Sequence, residues 1–63
     1  MESVPKYKVG SNVMYREGEN LREGRIDMSW PVNYHIMYRI SGVKNAVHEN
    51  DIVCHAKQIL HTE

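Results

Sequence analysis

Two stretches of this chain place apolar residues at every second position, the period of a half-buried β-strand. In Gly24–Trp30, Ile26, Met28 and Trp30 alternate with Arg25, Asp27 and Ser29. In Tyr34–Ser41, Tyr34, Ile36, Tyr38 and Ile40 alternate with His35, Met37, Arg39 and Ser41. The first set of each stretch is expected to face a core and the second to face water, as in an antiparallel sheet wet on one side. Shorter apolar runs predict three more strands, at Val13–Arg16, Asn45–His48 and Ile52–His55.

The breaks between these runs carry turn chemistry. Val9–Asn12 is a turn, because Gly10 and Asn12 tolerate positive φ and Ser11 and Asn12 can bond nearby backbone groups. Glu17–Glu23, with Gly18 and Asn20, is expected to be a hairpin loop. Pro31 lacks an amide donor and is expected to stop the second strand, with Val32-Asn33 completing the turn. Gly42–Lys44 turns into the fourth strand, and Glu49–Asp51 predicts a single helical turn capped by a side-chain oxygen. Met1–Lys8 is a tail able to settle on the folded unit, and Pro5 bars helix there. Ala56–Glu63 is a second tail with a weak helical pattern at Ile59 and Leu60. Five short strands with tight turns predict an all-β, five-stranded antiparallel barrel over residues 9–55, with tails at 1–8 and 56–63.

Composition agrees with sheet. Val plus Ile number 12 and Leu plus Ala 4, and β-branched side chains lose χ1 freedom in a helix. With 63 residues the chain forms one small domain of modest stability, too small a scaffold for a large catalytic cleft. Eight Lys plus Arg balance eight Asp plus Glu, which excludes a global electrostatic grip on nucleic acid. The lone Cys54 cannot form an internal disulfide, so a reducing cytoplasm is expected. No apolar run approaches the roughly 20 residues of a membrane span, and no leader pattern precedes the domain, so no membrane partner is expected.

The residues Lys8-Val9-Gly10-Ser11-Asn12-Val13, then Gly24-Arg25-Ile26, then Val47-His48-Glu49-Asn50-Asp51-Ile52 resemble, in that order, the SH3-like barrels of the Tudor, chromo-barrel and KOW branch. The resemblance covers roughly residues 8–54 and implies an SH3-like barrel with a helical turn before its last strand. Such barrels bind peptides, methylated side chains, nucleic acids or other proteins, so fold does not decide function. The first loop lacks the acidic and aromatic pattern of proline-peptide binders. In size and style the chain is also similar to accessory proteins of bacterial viruses and mobile elements.

Every aromatic ring, Tyr7, Tyr15, Trp30, Tyr34 and Tyr38, carries a polar handle suited to partial exposure. The resemblance implies a cage for methylated Lys or Arg at Tyr15, Trp30 and Tyr34, held by cation–π attraction. The plainer alternative is that Trp30 and Tyr38 fill the core. Arg16, Arg22, Arg25 and Arg39 with Tyr15 form a candidate nucleic-acid strip, weakened by Glu17, Glu19, Glu23 and Asp27 among them. Met28 is expected in the core, while Met14 and Met37 are expected to form an exposed soft patch that adapts to partners. Cys54 with His48, His55 and His61 has no standard zinc spacing, so no metal or cofactor is expected, and Cys54 reads as a small buried hydrophobe. No oxyanion hole, phosphate loop or paired-carboxylate cleft is legible. The expected function is therefore non-enzymatic: a small binding module that modulates or inhibits a larger protein through Tyr15, Trp30, Tyr34, Arg39, Met14 and Met37. The alternatives are a nucleic-acid-binding barrel, a methylated-peptide reader and a homodimer formed through an uncovered strand edge.

Overall fold

The structure is a computed structural model that describes residues 4–56. Within them lie β1 (Asn12–Glu17), β2 (Asn20–Val32), β3 (His35–Ile40), β4 (Val47–His48), a 3-10 helix at Glu49–Asp51, and β5 (Ile52–His55). The order across the sheet is β4-β3-β2-β1-β5, with every pairing antiparallel. All five strands and the helical turn expected from the alternation are present. The second tail, with Ile59, Leu60 and His61, lies outside the described residues beyond Ala56.

The sheet is open. β4 has two residues and pairs only with β3, and β5 pairs only with β1, so the expected closed barrel is not formed by strand pairing. What links the two edges is the 3-10 helix between them. Its N-cap departs from the expected side-chain oxygen. The Asn50 N–H donates to Nδ1 of His48 at 3.0 Å, an imidazole doing the work of a capping carboxylate or hydroxyl.

β2 is 13 residues long because both of its expected stops are weak. The Glu17–Glu23 loop shrinks to Gly18 and Glu19, since Gly18 at φ 64 lets Glu17 pair directly with Asn20. Pro31 does not end the strand either. It sits opposite Ile36, one residue from the hairpin-closing pair Val32 and His35, where a two-residue turn places a non-hydrogen-bonded position. The proline nitrogen therefore faces the side of β2 that β1 has already left, its last partner there being Arg25.

The core is Tyr7, Val13, Tyr15, Ile26, Ile36, Tyr38, Ile40, Val47 and Ile52, with Val43 packed against it. Gly24 makes this packing possible. Facing Val13, it lets Ile40 lie against bare backbone, since a Cβ at Gly24 would stand 2.3 Å from Ile40 Cγ2 and 3.2 Å from Tyr15 Cε1.

Two β-bulges overturn expected faces. Ile26 pairs with Ile40 but Met28 pairs with Arg39, so β2 holds one residue more than β3 and Asp27 has no partner. An inserted residue reverses the facing of the rest of its strand. Met28, expected in the core, is therefore turned outward and 54% exposed. The same device acts in β5, where Tyr15 pairs with Ile52 and Met14 with Cys54, leaving Val53 extra. Ile52 is buried, and Cys54 is exposed rather than the buried hydrophobe expected.

Candidate functional site

The bulge at Asp27 builds a face on the outer side of β2, β3 and β4. Directly opposed residues of an antiparallel pair share a face, and the register supplies three rows. Met28 stands opposite Arg39. Trp30 stands opposite Met37, which in turn stands opposite His48. Val32 stands opposite His35. Trp30, Met37 and His48 are half-buried, whereas Met28, Val32, His35 and Arg39 are exposed. The rings of His35 and His48 meet at 4.6 Å between centroids. An aromatic and thioether centre is thus bordered by a guanidinium at one end and two imidazoles at the other. Inner positions of the same stretch of β2 fall to Ser29 and Pro31, opposite Tyr38 and Ile36.

The polar groups of this face have defined roles. His48 Nδ1 accepts the Asn50 N–H, so in the neutral ring Nε2 carries the proton and is a donor. That tautomer is set for hydrogen bonding and not for metal ligation through Nε2. Among the described residues no three or more His, Cys, Asp or Glu side chains come together as a metal-binding group. His61, part of the considered set, lies outside the described residues.

Three of the described carboxylates, Glu17, Asp27 and Glu49, are engaged with partners of their own. Glu17 pairs with Arg22 at 2.6 Å and Asp27 with Arg25 at 3.7 Å. Glu19 and Glu23 lie on the β1–β2 hairpin, and Asp51 lines a pocket with Arg16 and Lys44 on another side of the molecule. Glu49 belongs to a clasp on the N-terminal segment. Its Oε2 accepts from the Tyr38 hydroxyl at 2.5 Å and from the Lys6 N–H at 2.9 Å. The Tyr38 oxygen in turn accepts the N–H groups of Lys6 and Tyr7 at 3.1 and 3.2 Å. Burial, reinforced by the bond to Glu49, pushes the Tyr38 phenol up to about 12. The clasp draws Tyr7 into the core at 5% exposure, its ring edge-on to Tyr38 and His55.

The other expected site residues fall into separate places. Tyr15 is 3% exposed and packs in the core, because β1 points Val13 and Tyr15 inward together. Tyr34, expected at the start of a core face, is the second residue of a tight turn and 92% exposed. Asn33, at φ 56, makes that turn. Ring contacts among the described residues join Tyr7 with Tyr38 and His55, and His35 with His48. None joins Tyr15, Trp30 and Tyr34, so no aromatic cage is assembled from them.

Met14 and Met37 do not form one patch. Met14 is opposite Glu23 and Met37 opposite Trp30, positions seven residues apart on β2. The arginines are dispersed as well. Arg22 and Arg25 are paired with carboxylates, and Arg16 on β1 and Arg39 on β3 have β2 between them. Sequence reasoning missed His35, His48 and Val32 as neighbours of Trp30, and it set Met28 beside Trp30 on the core side and not the outer one. The signal was faint: an acidic residue, Asp27, inside an apolar alternation marks a bulge only after the register is known.

No helix among the described residues is long and apolar enough to cross a membrane. No family model, no curated protein and no solved structure matches this chain.

Proposed function

We propose that this chain is a non-enzymatic binding module of the SH3-like type that engages another protein through the outer face of β2 and β3. One observation carries the reading: the bulge at Asp27 turns Trp30 outward and seats it opposite Met37. A domain of this size has little apolar surface to forgo, so leaving a tryptophan and two methionines on an outer face weakens its own core. Interface energy concentrates in such large, partly desolvated anchors, with aromatic and Arg residues enriched. The order of strands, with a helical turn before the last, supports the SH3-like reading. Tyr38, Glu49 and His48 are engaged in holding the N-terminal segment and the 3-10 helix, which supports a structural role for these three groups. The dispersed and partly paired arginines give the nucleic-acid alternative no continuous strip.

Affinity capture with the full chain, run with and without nuclease and repeated with Trp30→Ala, tests this. The expected result is one stoichiometric protein that survives nuclease and is lost from the variant, a weakening of about 2 kcal/mol or more. Retention that disappears with nuclease would overturn it. So would a Trp30→Ala chain that no longer folds, since Trp30 would then be a core residue.

A further inference from the structure

The outer face carries Arg39 and two imidazoles, and the carboxylate at its bulge end, Asp27 beside Met28, is paired with Arg25; that asymmetry bears on the chemistry of what the face binds. Arg39 has no carboxylate within ion-pairing distance among the described residues. His48 presents an Nε2–H because its other nitrogen is taken by Asn50, and His35 lies against it. β2 contributes no charge between Met28 and Val32. The nearest acid in sequence, Asp27, is paired with Arg25, and Glu49 is turned to Tyr38 and Lys6. A guanidinium and, one row along, an imidazole N–H, neither paired with an acid among the described residues, are matched by a carboxylate brought from outside.

We propose that the occupant is a short acidic–apolar segment of a partner protein, its apolar side chain on Trp30, Met28 and Met37 and its carboxylate on Arg39 and the His48 end. This deepens the protein-binding reading and rests on it. Size agrees with a short segment. Three rows about 7 Å apart and three strands about 5 Å apart make a footprint of roughly 14 by 10 Å. Pro31 removes a donor from the free edge of β2 beside the face, which disfavours strand addition at that edge. Two copies meeting through this face would set Arg39 and the imidazoles of one against the same set of donors on the other, with no acid between them, which argues for an unlike partner.

The test is a random-peptide display selection against the intact chain. Binding of the enriched peptides is then read by isothermal titration calorimetry for wild type, Arg39→Glu, Arg39→Gln and Trp30→Ala. Enriched peptides should combine Asp or Glu with an aromatic or aliphatic residue. They should bind Arg39→Glu about tenfold or more weakly and Arg39→Gln by an intermediate amount. A peptide with its acid changed to lysine should regain binding to Arg39→Glu. Enriched peptides without acidic bias, or acidic ones indifferent to both Arg39 variants, would overturn the acidic chemistry and leave the Trp30 face standing. Peptides that bind Trp30→Ala as tightly as wild type would instead overturn the face itself. Two further results would overturn the proposal: binding to anionic phosphatidylserine vesicles with a Trp30 blue shift, which assigns the face to a lipid surface, and a concentration-dependent dimer that buries Trp30, which assigns it to a second copy.

Discussion

The two halves of β2 carry the same kind of alternation and use it in opposite ways. From Asn20 to Arg25 the strand pairs with β1, and the inward positions of this half, Gly24 and the adjoining Ile26, serve the core. From Met28 to Val32 it pairs with β3, and the residues in phase with Ile26 by sequence, Met28 and Trp30, face out. One unpaired residue separates the two regimes. Hydrophobic periodicity therefore reports that a strand exists and that its faces differ, while the register decides which face is inside. The bulge in β5 repeats the lesson with Ile52 in and Cys54 out.

Removing the bulge should break this difference most severely. Deleting Asp27 makes the alternation continuous, so Met28 and Trp30 must either enter the core or slip the β2–β3 pairing. The expected outcome is loss of a cooperative urea transition, together with reduced quenching of Trp30 by acrylamide. An unchanged transition with Trp30 still open to quencher would contradict the register described here.

Crowding the first half comes next. Gly24→Ala drives a Cβ into Ile40 and Tyr15 and should cost about 3 kcal/mol in urea denaturation, the upper range for overpacking. Tyr38→Phe should cost about 2 kcal/mol by stripping a buried hydroxyl from Glu49, Lys6 and Tyr7. It also carries a pH signature. An unfolded tyrosine ionises near 10.0, whereas Tyr38 keeps its proton up to about 12. Its contribution is thus complete below pH 10 and is lost as pH rises toward 12. Denaturation midpoints of the wild type should fall across that window, and the fall should be flatter in Tyr38→Phe.

The second half should tolerate truncation. Trp30→Ala is expected to cost about 1 kcal/mol of stability, well below the roughly 3–5 kcal/mol of a core aromatic, while removing partner binding. A loss in the core range would return Trp30 to a packing role. Smallest of all, Tyr34→Ala should stay within about 0.5 kcal/mol, since the ring stands almost wholly in solvent.

Much of the fold was legible from residues alone. The inward set of β3, Ile36, Tyr38 and Ile40, followed from its period of two because no bulge interrupts β3 after Ile36. The turn at Glu49–Asp51 followed from three polar residues between two apolar runs. The site was less legible. Tyr15 and Trp30 look alike as polar-handled aromatics, and only the register sends one into the core and the other outward. Tyr7 sits in a polar N-terminal stretch, and nothing local shows that its amide and that of Lys6 meet Tyr38 more than thirty residues away.

By itself the sequence determined strand identity, approximate strand limits and the left-handed turn positions, because these depend on side-chain shape, period and backbone sterics within a few residues. Tertiary structure decided which apolar residues were buried. Burial depends on pairing register, and here a single unpaired Asp27, placed by the fit of β2 to β1 on one side and β3 on the other, reversed it for the rest of β2.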